Sequence, residues 1–233
     1  MTGFEPPDLF DPRTSVLLCG SSRSLVRWVA YAFVADRPGG FIWGHVRLED
    51  EVLEDTDPLK TQVIPRDRFI SVLPSELVVD ELAGNVALGG LIRSEGDAEH
   101  VRQFADFLRL PKQTQDLFSR LPTEGPSPVL VLSGAQRLAP FYSAKTEAPT
   151  LRAIVESGGS ALMTWEEAPL ARRFLYDHVL QLKGYEPSKW KDAVLTVEKG
   201  WPTGPLQTGA ELPLRDIAPV ASVLSRTLQS SLR

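Results

Sequence analysis

The stretch SVLLCGSSRSLVRWVAYAF, residues 15–33, decides the fold of this chain. It begins with an apolar run that is typical of a buried β-strand, and it continues through a turn of small residues. Apolar side chains then recur at helical spacing, which predicts an α-helix over residues 23–36. The positions on that apolar face are Leu25, Trp28, Val29, Ala32 and Phe33. A buried strand that leads directly into an amphipathic helix is the basic unit of a parallel α/β sheet.

The turn of this unit can be compared with a phosphate-binding loop, whose backbone N–H groups and following helix N-terminus hold phosphate. The full pattern G-x-x-x-x-G-K-[ST] is absent. When Arg23 is aligned with its lysine, Leu17 and Ser22 occupy the two glycine positions, and a planar guanidinium is bulkier than an ammonium group. Two interpretations stay open: a nucleotide-binding remnant, or an ordinary turn in which Ser21 or Ser22 caps the helix. The residues of the remnant are Gly20, Ser21, Ser22, Arg23 and Ser24.

Apolar strands alternate with amphipathic helices along most of the chain, which predicts an α/β fold. The expected architecture is a mostly parallel central sheet with helices on both faces and a C-terminal antiparallel hairpin. Strands are predicted at residues 15–19, 41–48, 68–73, 128–132, 159–165, 177–183 and 192–198. Further helices are predicted at residues 74–87, 97–109, 113–121, 150–157, 168–174 and 216–232.

Two expectations concern the arrangement of these elements. The strand at residues 128–132 is predicted to be central, with the strand at residues 16–18 and the strand containing Leu162 as its neighbours. Residues 1–13 are predicted to be an N-terminal arm, and residues 14–233 a single domain. Phe4, Leu9 and Phe10 are the candidates to hold the arm against that domain.

Composition excludes several classes of protein. Lys+Arg 25 against Asp+Glu 30 gives a net charge of −5, which argues against a generally basic surface for nucleic acid. The single cysteine, Cys19, excludes a disulfide framework and a cysteine-based metal site, and it is predicted to be a buried thiol. The three histidines have no partners at metal-ligand or triad spacing, so we expect packing or surface roles for His45, His100 and His178. The chain has no run of 18 apolar residues and begins unlike a signal peptide, which predicts no membrane partner and a cytoplasmic location.

Five segments in order resemble the RecA-like P-loop ATPases, and especially their KaiC-like branch. They are VLLCGSSRSLVRWVAYAF, GHVRLEDE, PVLVLSGAQRLAPF, SALMTWEEAPLARRFLYDHVLQLKG and KDAVLTVEKGWPTGPLQTG. They are similar to the phosphate-loop unit, the segment after the second strand, the Walker B strand, the next strand with the strand beyond it, and the terminal hairpin. The resemblance covers roughly residues 15–217 and implies a RecA-like P-loop fold.

The same resemblance indicates which motif residues for nucleotide binding are retained in this chain and which are replaced. Glu49 and Asp50 match a paired-carboxylate motif and are weak catalytic candidates, or they simply begin a solvated acidic loop over residues 49–57. Ser133 stands where the resemblance implies the aspartate that holds magnesium, and a hydroxyl brings no negative charge to a dication. We therefore expect no metal site, no cofactor and no catalysis, while weak binding of ATP with magnesium stays open.

The remaining candidates concern partners. Arg137, Arg152, Arg172 and Arg173 are expected near the carboxyl ends of the strands, where they could form a basic patch for nucleic acid. Trp43 and Trp165 are interpreted as core residues. The candidates for contact with a protein partner or a second copy of the chain are Trp190, Trp201, Arg137, Arg172 and Arg173. The alternative for Trp190 and Trp201 is that both pack under their own loops.

Three functions remain open from the sequence. The leading hypothesis is a non-catalytic RecA/KaiC-like domain with degenerate Walker motifs that acts as an interaction or regulatory protein. The alternatives are a divergent ATP-binding protein or weak ATPase that uses Arg23 and Glu49, and an accessory factor in DNA recombination or repair.

Overall fold

A computed structural model describes residues 9–10, 13–37, 40–47, 50–72, 77–80, 85–88, 129–138, 144–156, 159–184, 186–202 and 206–230. The strands are β1 Ser15–Gly20, β2 Phe41–Val46, β3 Phe69–Val72, β4 Leu77–Asp80, β5 Asn85–Leu88, β6 Val129–Ser133, β7 Ser160–Trp165, β8 His178–Lys183, β9 Val194–Lys199 and β10 Glu211–Pro213. The α-helices are α1 Arg23–Val34, α2 Ala144–Glu156, α3 Leu170–Arg173 and α4 Ala218–Ser230.

The central sheet is mixed but mostly parallel, as the sequence predicts. Its strand order is β10-β9-β8-β1-β7-β6-β2-β3. The six strands from β8 to β3 are all parallel to one another. Strand β9 is antiparallel to β8, and β10 is antiparallel to β9. The predicted C-terminal hairpin is thus confirmed as the β8–β9 pair.

Helices cover both faces of this sheet, because alternate residues of each strand enter different cores. Val16 and Leu18 of β1 pack in the core that contains residues of α1 and α4. Leu17 and Cys19 pack in the opposite core, to which α2 contributes Leu151 and Ile154. Burial on both faces explains why these strands are almost continuously apolar. Cys19 is 0% exposed, and burial raises the pKa of its thiol to about 11.

The predicted neighbours of the strand at residues 128–132 are only half right. Strand β6 is an interior strand beside β7, which contains Leu162, but its other neighbour is β2. Strand β1, which contains residues 16–18, instead lies between β7 and β8. Short apolar strands of similar composition carry little information on their order in a parallel sheet, which explains the error.

The helix predicted over residues 74–87 is also wrong. Strands β4 and β5 lie in this region and pair antiparallel as a separate two-stranded sheet. The β-branched residues Val78, Val79 and Val86 favour strands, and Gly84 interrupts a helical pattern. The helices predicted over residues 97–109 and 113–121 lie outside the described residues.

The end of the predicted N-terminal arm belongs to the core. Leu9 and Phe10 are both 0% exposed, and the guanidinium of Arg37 lies 4.9 Å from the centre of the Phe10 ring. The hydroxyl of Thr14 donates to the Leu9 carbonyl at 2.8 Å. These contacts confirm that Leu9 and Phe10 pack against the domain, whereas Phe4 lies outside the described residues. Within the described part of the chain, no helix has the length and apolar character needed to cross a bilayer.

Candidate functional site

The turn between β1 and α1 is short and is closed by a helix cap. Strand β1 ends at Gly20 and α1 begins at Arg23, which leaves only Ser21 and Ser22 between them. The Ser22 hydroxyl accepts a hydrogen bond from the Leu25 N–H at 3.4 Å, so the interpretation of this turn as an ordinary N-cap is confirmed for Ser22. A Cβ on Gly20 would lie 2.7 Å from Val26, because strand and helix approach closely here.

The residues that follow the cap are engaged elsewhere or buried. Arg23, whose side chain is 49% exposed, donates through Nε to Glu166 Oε1 at 2.5 Å, and this bond raises the pKa of Arg23. Gln136 donates to the same oxygen at 2.9 Å. Ser24 is 1% exposed, so it does not face solvent. The cavity that Gly20 and Arg23 help to line has a volume of about 10 Å³, which is room for about one water molecule.

Ser133 is the last residue of β6, and its hydroxyl belongs to a buried row of hydrogen-bonded polar side chains. Its Oγ accepts from Trp43 Nε1 at 3.0 Å and lies 2.9 Å from His45 Nδ1. His45 is paired with Ser133 across β2 and β6, and this register brings the two side chains together. The other ring nitrogen of His45, Nε2, lies 3.2 Å from Glu51 Oε2. His45 is 3% exposed, as expected for a packing role, but its polar partners Ser133 and Glu51 were not foreseen, because Ser133 is distant in sequence and meets His45 at the carboxyl ends of neighbouring strands.

Glu51 is the centre of a larger ionic cluster. Arg137 donates to both carboxylate oxygens of Glu51, at 2.6 and 2.9 Å, and Arg27 Nη2 donates to Oε1 at 2.7 Å. Arg27 also donates to Asp57 at 2.7 Å. All four ionic side chains are 2–6% exposed, and two guanidinium groups balance two carboxylates. We call the following residues the Glu51 cluster: Arg27, His45, Glu51, Asp57, Ser133 and Arg137.

The pKa values of Glu51 and His45 are shifted within the Glu51 cluster. Burial alone would raise the pKa of Glu51, but hydrogen bonds from His45, Arg137 and Arg27 outweigh it and hold the pKa well below its usual range. Burial lowers the pKa of His45, so its ring is neutral. A neutral ring has one donor, so Nε2–H donates to Glu51 and Nδ1 accepts from Ser133. The order Ser–His–carboxylate resembles a catalytic relay, but Ser133 is 0% exposed and offers no nucleophile to a substrate.

Glu51 comes directly after Glu49 and Asp50, the two catalytic candidates that the sequence indicates. Glu49 lies outside the described residues, and Asp50 is exposed. The interpretation of residues 49–57 as a solvated acidic loop is wrong for Glu51 and Asp57, whose side chains are 6% and 2% exposed and paired with arginine. Sequence reasoning missed Glu51 and Arg27. A signal was available for Arg27, because it is a charged residue between Val26 and Trp28 on a helix that buries almost every side chain.

The predicted basic patch is corrected by the partners of its arginines. Arg137 belongs to the Glu51 cluster, and Arg173 donates to the Ala168 carbonyl at 2.9 Å and pairs with Glu198. Arg172 is 8% exposed, and its guanidinium lies 4.9 Å from the centre of the Trp165 ring. Of the four arginines, only the exposed Arg152 shows no acidic partner within the described residues. The prediction failed because helical spacing does not reveal acidic partners on other elements.

Glu147 centres a second buried group on the opposite face, formed by Glu147, Arg172 and Tyr176, which we call the Glu147 cluster. Glu147 accepts hydrogen bonds from the Arg172 guanidinium and the Tyr176 hydroxyl. Burial raises the pKa of Glu147, and these two donors offset the effect only in part. The cluster connects α2 with α3 and the segment that follows α3.

The division of the tryptophans between the core and the surface differs from the expectation. Trp43 and Trp165 are 0% and 5% exposed, which confirms their place in the core. Trp190 is also 5% exposed and packs in the core, so its selection as an exposed contact residue is wrong. Trp201 is half-buried and stacks on the ring of His178, with centroids 3.4 Å apart. Trp190 and Trp201 therefore both pack within their own chain, which confirms the alternative interpretation of them.

Large apolar side chains are exposed at other places. Leu170 and Phe174 are 68% and 71% exposed on the connection between β7 and β8, and Val52 is 93% exposed. Beside the β1–α1 turn lies an open cleft of about 370 Å³. Its polar lining residues are Ser21, Glu166, Glu167, Arg173, Gln181 and Lys183.

The charges of this cleft do not favour a polyanion. Its two basic residues, Arg173 and Lys183, already pair with Glu198 and Glu211. Among the residues that the structure describes, no group of three or more His, Cys, Asp or Glu side chains is placed to hold a metal ion. No protein-family model matches the chain, and no curated protein sequence matches it.

Proposed function

We propose that the chain is a non-catalytic RecA/KaiC-like domain with degenerate Walker motifs, and that it acts as an interaction or regulatory protein. The observation that carries this proposal is the Glu51 cluster, which fills the carboxyl ends of β2 and β6 with buried, mutually paired side chains. In open α/β sheets, this edge is where ligands bind. A protein partner or a second copy of the chain and a cytoplasmic location complete the proposal.

Phosphoryl transfer depends on positioned cations and a metal ion that neutralise charge on the phosphates. Arg23 is paired with Glu166, and Arg27 and Arg137 are neutralised by Glu51 and Asp57. Ser133 is enclosed by Trp43 and His45 and brings no charge for magnesium. With a cavity of about 10 Å³ under the turn, a triphosphate has neither space nor cations there.

The exposed pair Leu170 and Phe174 supports the interaction role. The two side chains are four residues apart at a helical turn, so they lie on the same side of it. Exposed apolar residues grouped in this way favour contact with a partner. Arg172 and Arg173 in the same segment are held by Glu147 and Glu198, whereas Glu167 and Asp177 are exposed.

Nucleotide binding is tested by calorimetry on the purified chain with ATP, with and without magnesium, together with an assay of phosphate release over hours. We expect no binding and no release. Micromolar, magnesium-dependent binding would overturn the proposal and favour the divergent ATP-binding protein. In that case, loss of binding in Arg23→Ala, with retention in Lys189→Ala, would locate the nucleotide at the β1–α1 turn.

The interaction role is tested with Leu170→Asp/Phe174→Asp against Val52→Asp, which places a single negative charge at an exposed apolar position elsewhere. Light scattering over a range of concentrations measures self-association, and affinity capture followed by binding of the purified candidate measures a heterologous partner. We expect association to be lost in the double variant and kept in Val52→Asp. A monomer without a separable partner, unchanged by either variant, would remove the interaction role. Salt-sensitive binding of labelled DNA would instead support the accessory factor.

A further inference from the structure

We propose that Arg27, Arg137 and His45 form a binding site for a carboxylate or phosphate group, and that Glu51 is an internal ligand that fills it. This inference goes beyond the proposed function, because it assigns a ligand chemistry to the arginine and histidine side chains of the Glu51 cluster. It rests on the geometry around the Glu51 carboxylate.

The three side chains present donors that converge on one anion. Arg137 contacts both oxygens of Glu51 in the fork arrangement that suits carboxylates and phosphates. Arg27 adds a donor to Oε1 at 2.7 Å, and His45 adds one to Oε2 at 3.2 Å. Each oxygen therefore has two donors, and all the donor side chains are 4–6% exposed. Such a set of donors would hold any planar or tetrahedral oxyanion of the same size.

The donors and the anion are attached to different kinds of structure. Arg27 lies on α1 and His45 on β2, and Arg137 follows β6 and also donates to the Val46 carbonyl. Glu51 lies on residues 50–65, a described segment that contains neither helix nor strand. The side chain next to it, Val52, is 93% exposed. The three donor side chains thus lie on or directly after regular elements, whereas the anion lies on an irregular segment, which is itself tied to α1 through Asp57 and the Thr56 carbonyl.

This arrangement predicts how an external anion would compete. It must displace Glu51 from a buried, hydrogen-bonded pair, which reduces its apparent affinity by roughly two to four orders of magnitude. Millimolar anions should therefore not bind at this site in the wild-type protein. Truncation of the Glu51 side chain to a methyl group should uncover the site, because an acetate ion then replaces most of the missing atoms.

The test uses Glu51→Ala in the full chain, with thermal unfolding followed in sodium acetate, sodium phosphate and sodium chloride at equal ionic strength. We expect acetate to raise the melting temperature of this variant by roughly 5 °C more than chloride does. Wild type and Asp55→Ala, which lacks an exposed carboxylate of the same segment, should respond equally to acetate and chloride. The double variant Glu51→Ala/Arg137→Ala should lose the response.

The phosphate arm separates the two ligand classes. A response to acetate alone assigns the site to carboxylates, and a response to phosphate as well assigns it to oxyanions in general. Equal responses of Glu51→Ala to all three salts would overturn the proposal. If this variant does not fold in chloride, its refolding yield from urea is compared in the same salts, and an equal yield in all of them would be equally decisive. ATP plays no part in this test, so its outcome is separate from that of the proposed function.

Discussion

Glu51 and Glu147 are both buried glutamates that face arginine, yet their pKa values lie on opposite sides of the ordinary value. Their side chains are 6% and 2% exposed, so burial opposes ionisation at both positions. Glu51 accepts hydrogen bonds from two guanidinium groups and an imidazole, and its pKa is lowered. Glu147 accepts from one guanidinium and a phenol, and its pKa is raised. Burial is the largest influence on both pKa values, and only the larger set of donors around Glu51 outweighs it.

The largest expected effect separates the two glutamates at pH 7. Glu51→Gln keeps the side-chain volume but leaves two buried guanidinium groups with one carboxylate fewer, which should cost about 3–5 kcal/mol. Glu147→Gln leaves one guanidinium, which also lies over the Trp165 ring, so we expect a smaller cost of about 1–3 kcal/mol. Urea unfolding of both variants measures the difference. Equal losses, or a larger loss in Glu147→Gln, would contradict the comparison.

The pH dependence of the same variants sharpens the comparison, because the two sites should respond to acid in opposite directions. The lowered pKa of Glu51 means that its stabilising contribution is complete above its ordinary pKa of 4.5 and is lost as the pH falls below it. The raised pKa of Glu147 means that the folded state takes up this proton first, so acidification towards pH 4.5 adds stability. The cost of Glu51→Gln should thus shrink in acid, while the cost of Glu147→Gln should grow. Urea titrations of wild type and both variants between pH 7 and pH 3.5 measure these trends, and parallel curves would refute them.

A smaller effect tests the far end of the Glu51 cluster. Ser133→Ala removes the acceptor of the buried Trp43 N–H and one partner of His45, so we expect a loss of about 1–3 kcal/mol. Ser188→Ala, at an exposed serine, is the matched control and should leave stability unchanged. Chemical unfolding followed by tryptophan fluorescence measures both variants. An unchanged midpoint for Ser133→Ala would mean that Trp43 gains another acceptor.

The smallest effect is expected for an ion pair in solvent. Lys183 and Glu211 lie 3.1 Å apart with side chains 60% and 61% exposed. Lys183→Ala should change the free energy of unfolding by less than about 1 kcal/mol, because water and salt screen such pairs. Urea unfolding at low and high salt measures this change. A loss as large as that of Glu51→Gln would show that burial is not what distinguishes the pairs.

The sequence predicted those elements whose pattern is set by burial. Strand β1 with α1, strands β6 and β7, and the β8–β9 hairpin lie close to their predicted positions, because continuous apolar runs and helical spacing follow directly from a sheet covered on both faces. The positions of β6 and β1 in the strand order could not be predicted in this way, since any short apolar strand fits an interior position of the sheet. The helix predicted over the region of β4 and β5 was wrong, because the β-branched residues there outweighed an apparent helix start.

The candidate site was less accessible from sequence. Position 133 was singled out as a missing aspartate, but its partners Trp43 and His45 are separated from it by about ninety residues of chain. Glu51 was missed beside Asp50 because a run of acidic residues does not reveal which member turns inward. Arg172 and Arg173 were assigned to a basic patch for a similar reason, since their acidic partners lie on other elements. Pairing of charges across a fold depends on strand order, and strand order was the weakest part of the prediction.

Cys19 is a natural chemical probe of how often the central sheet opens. It is the single cysteine of the chain, it lies in β1 between two parallel neighbours, and its thiol is protonated and 0% exposed. An alkylating reagent can reach this sulfur only after β1 has separated from the sheet or the helices that cover it. The rate at which one label is incorporated therefore reports how often the centre of the molecule opens, without any engineered probe.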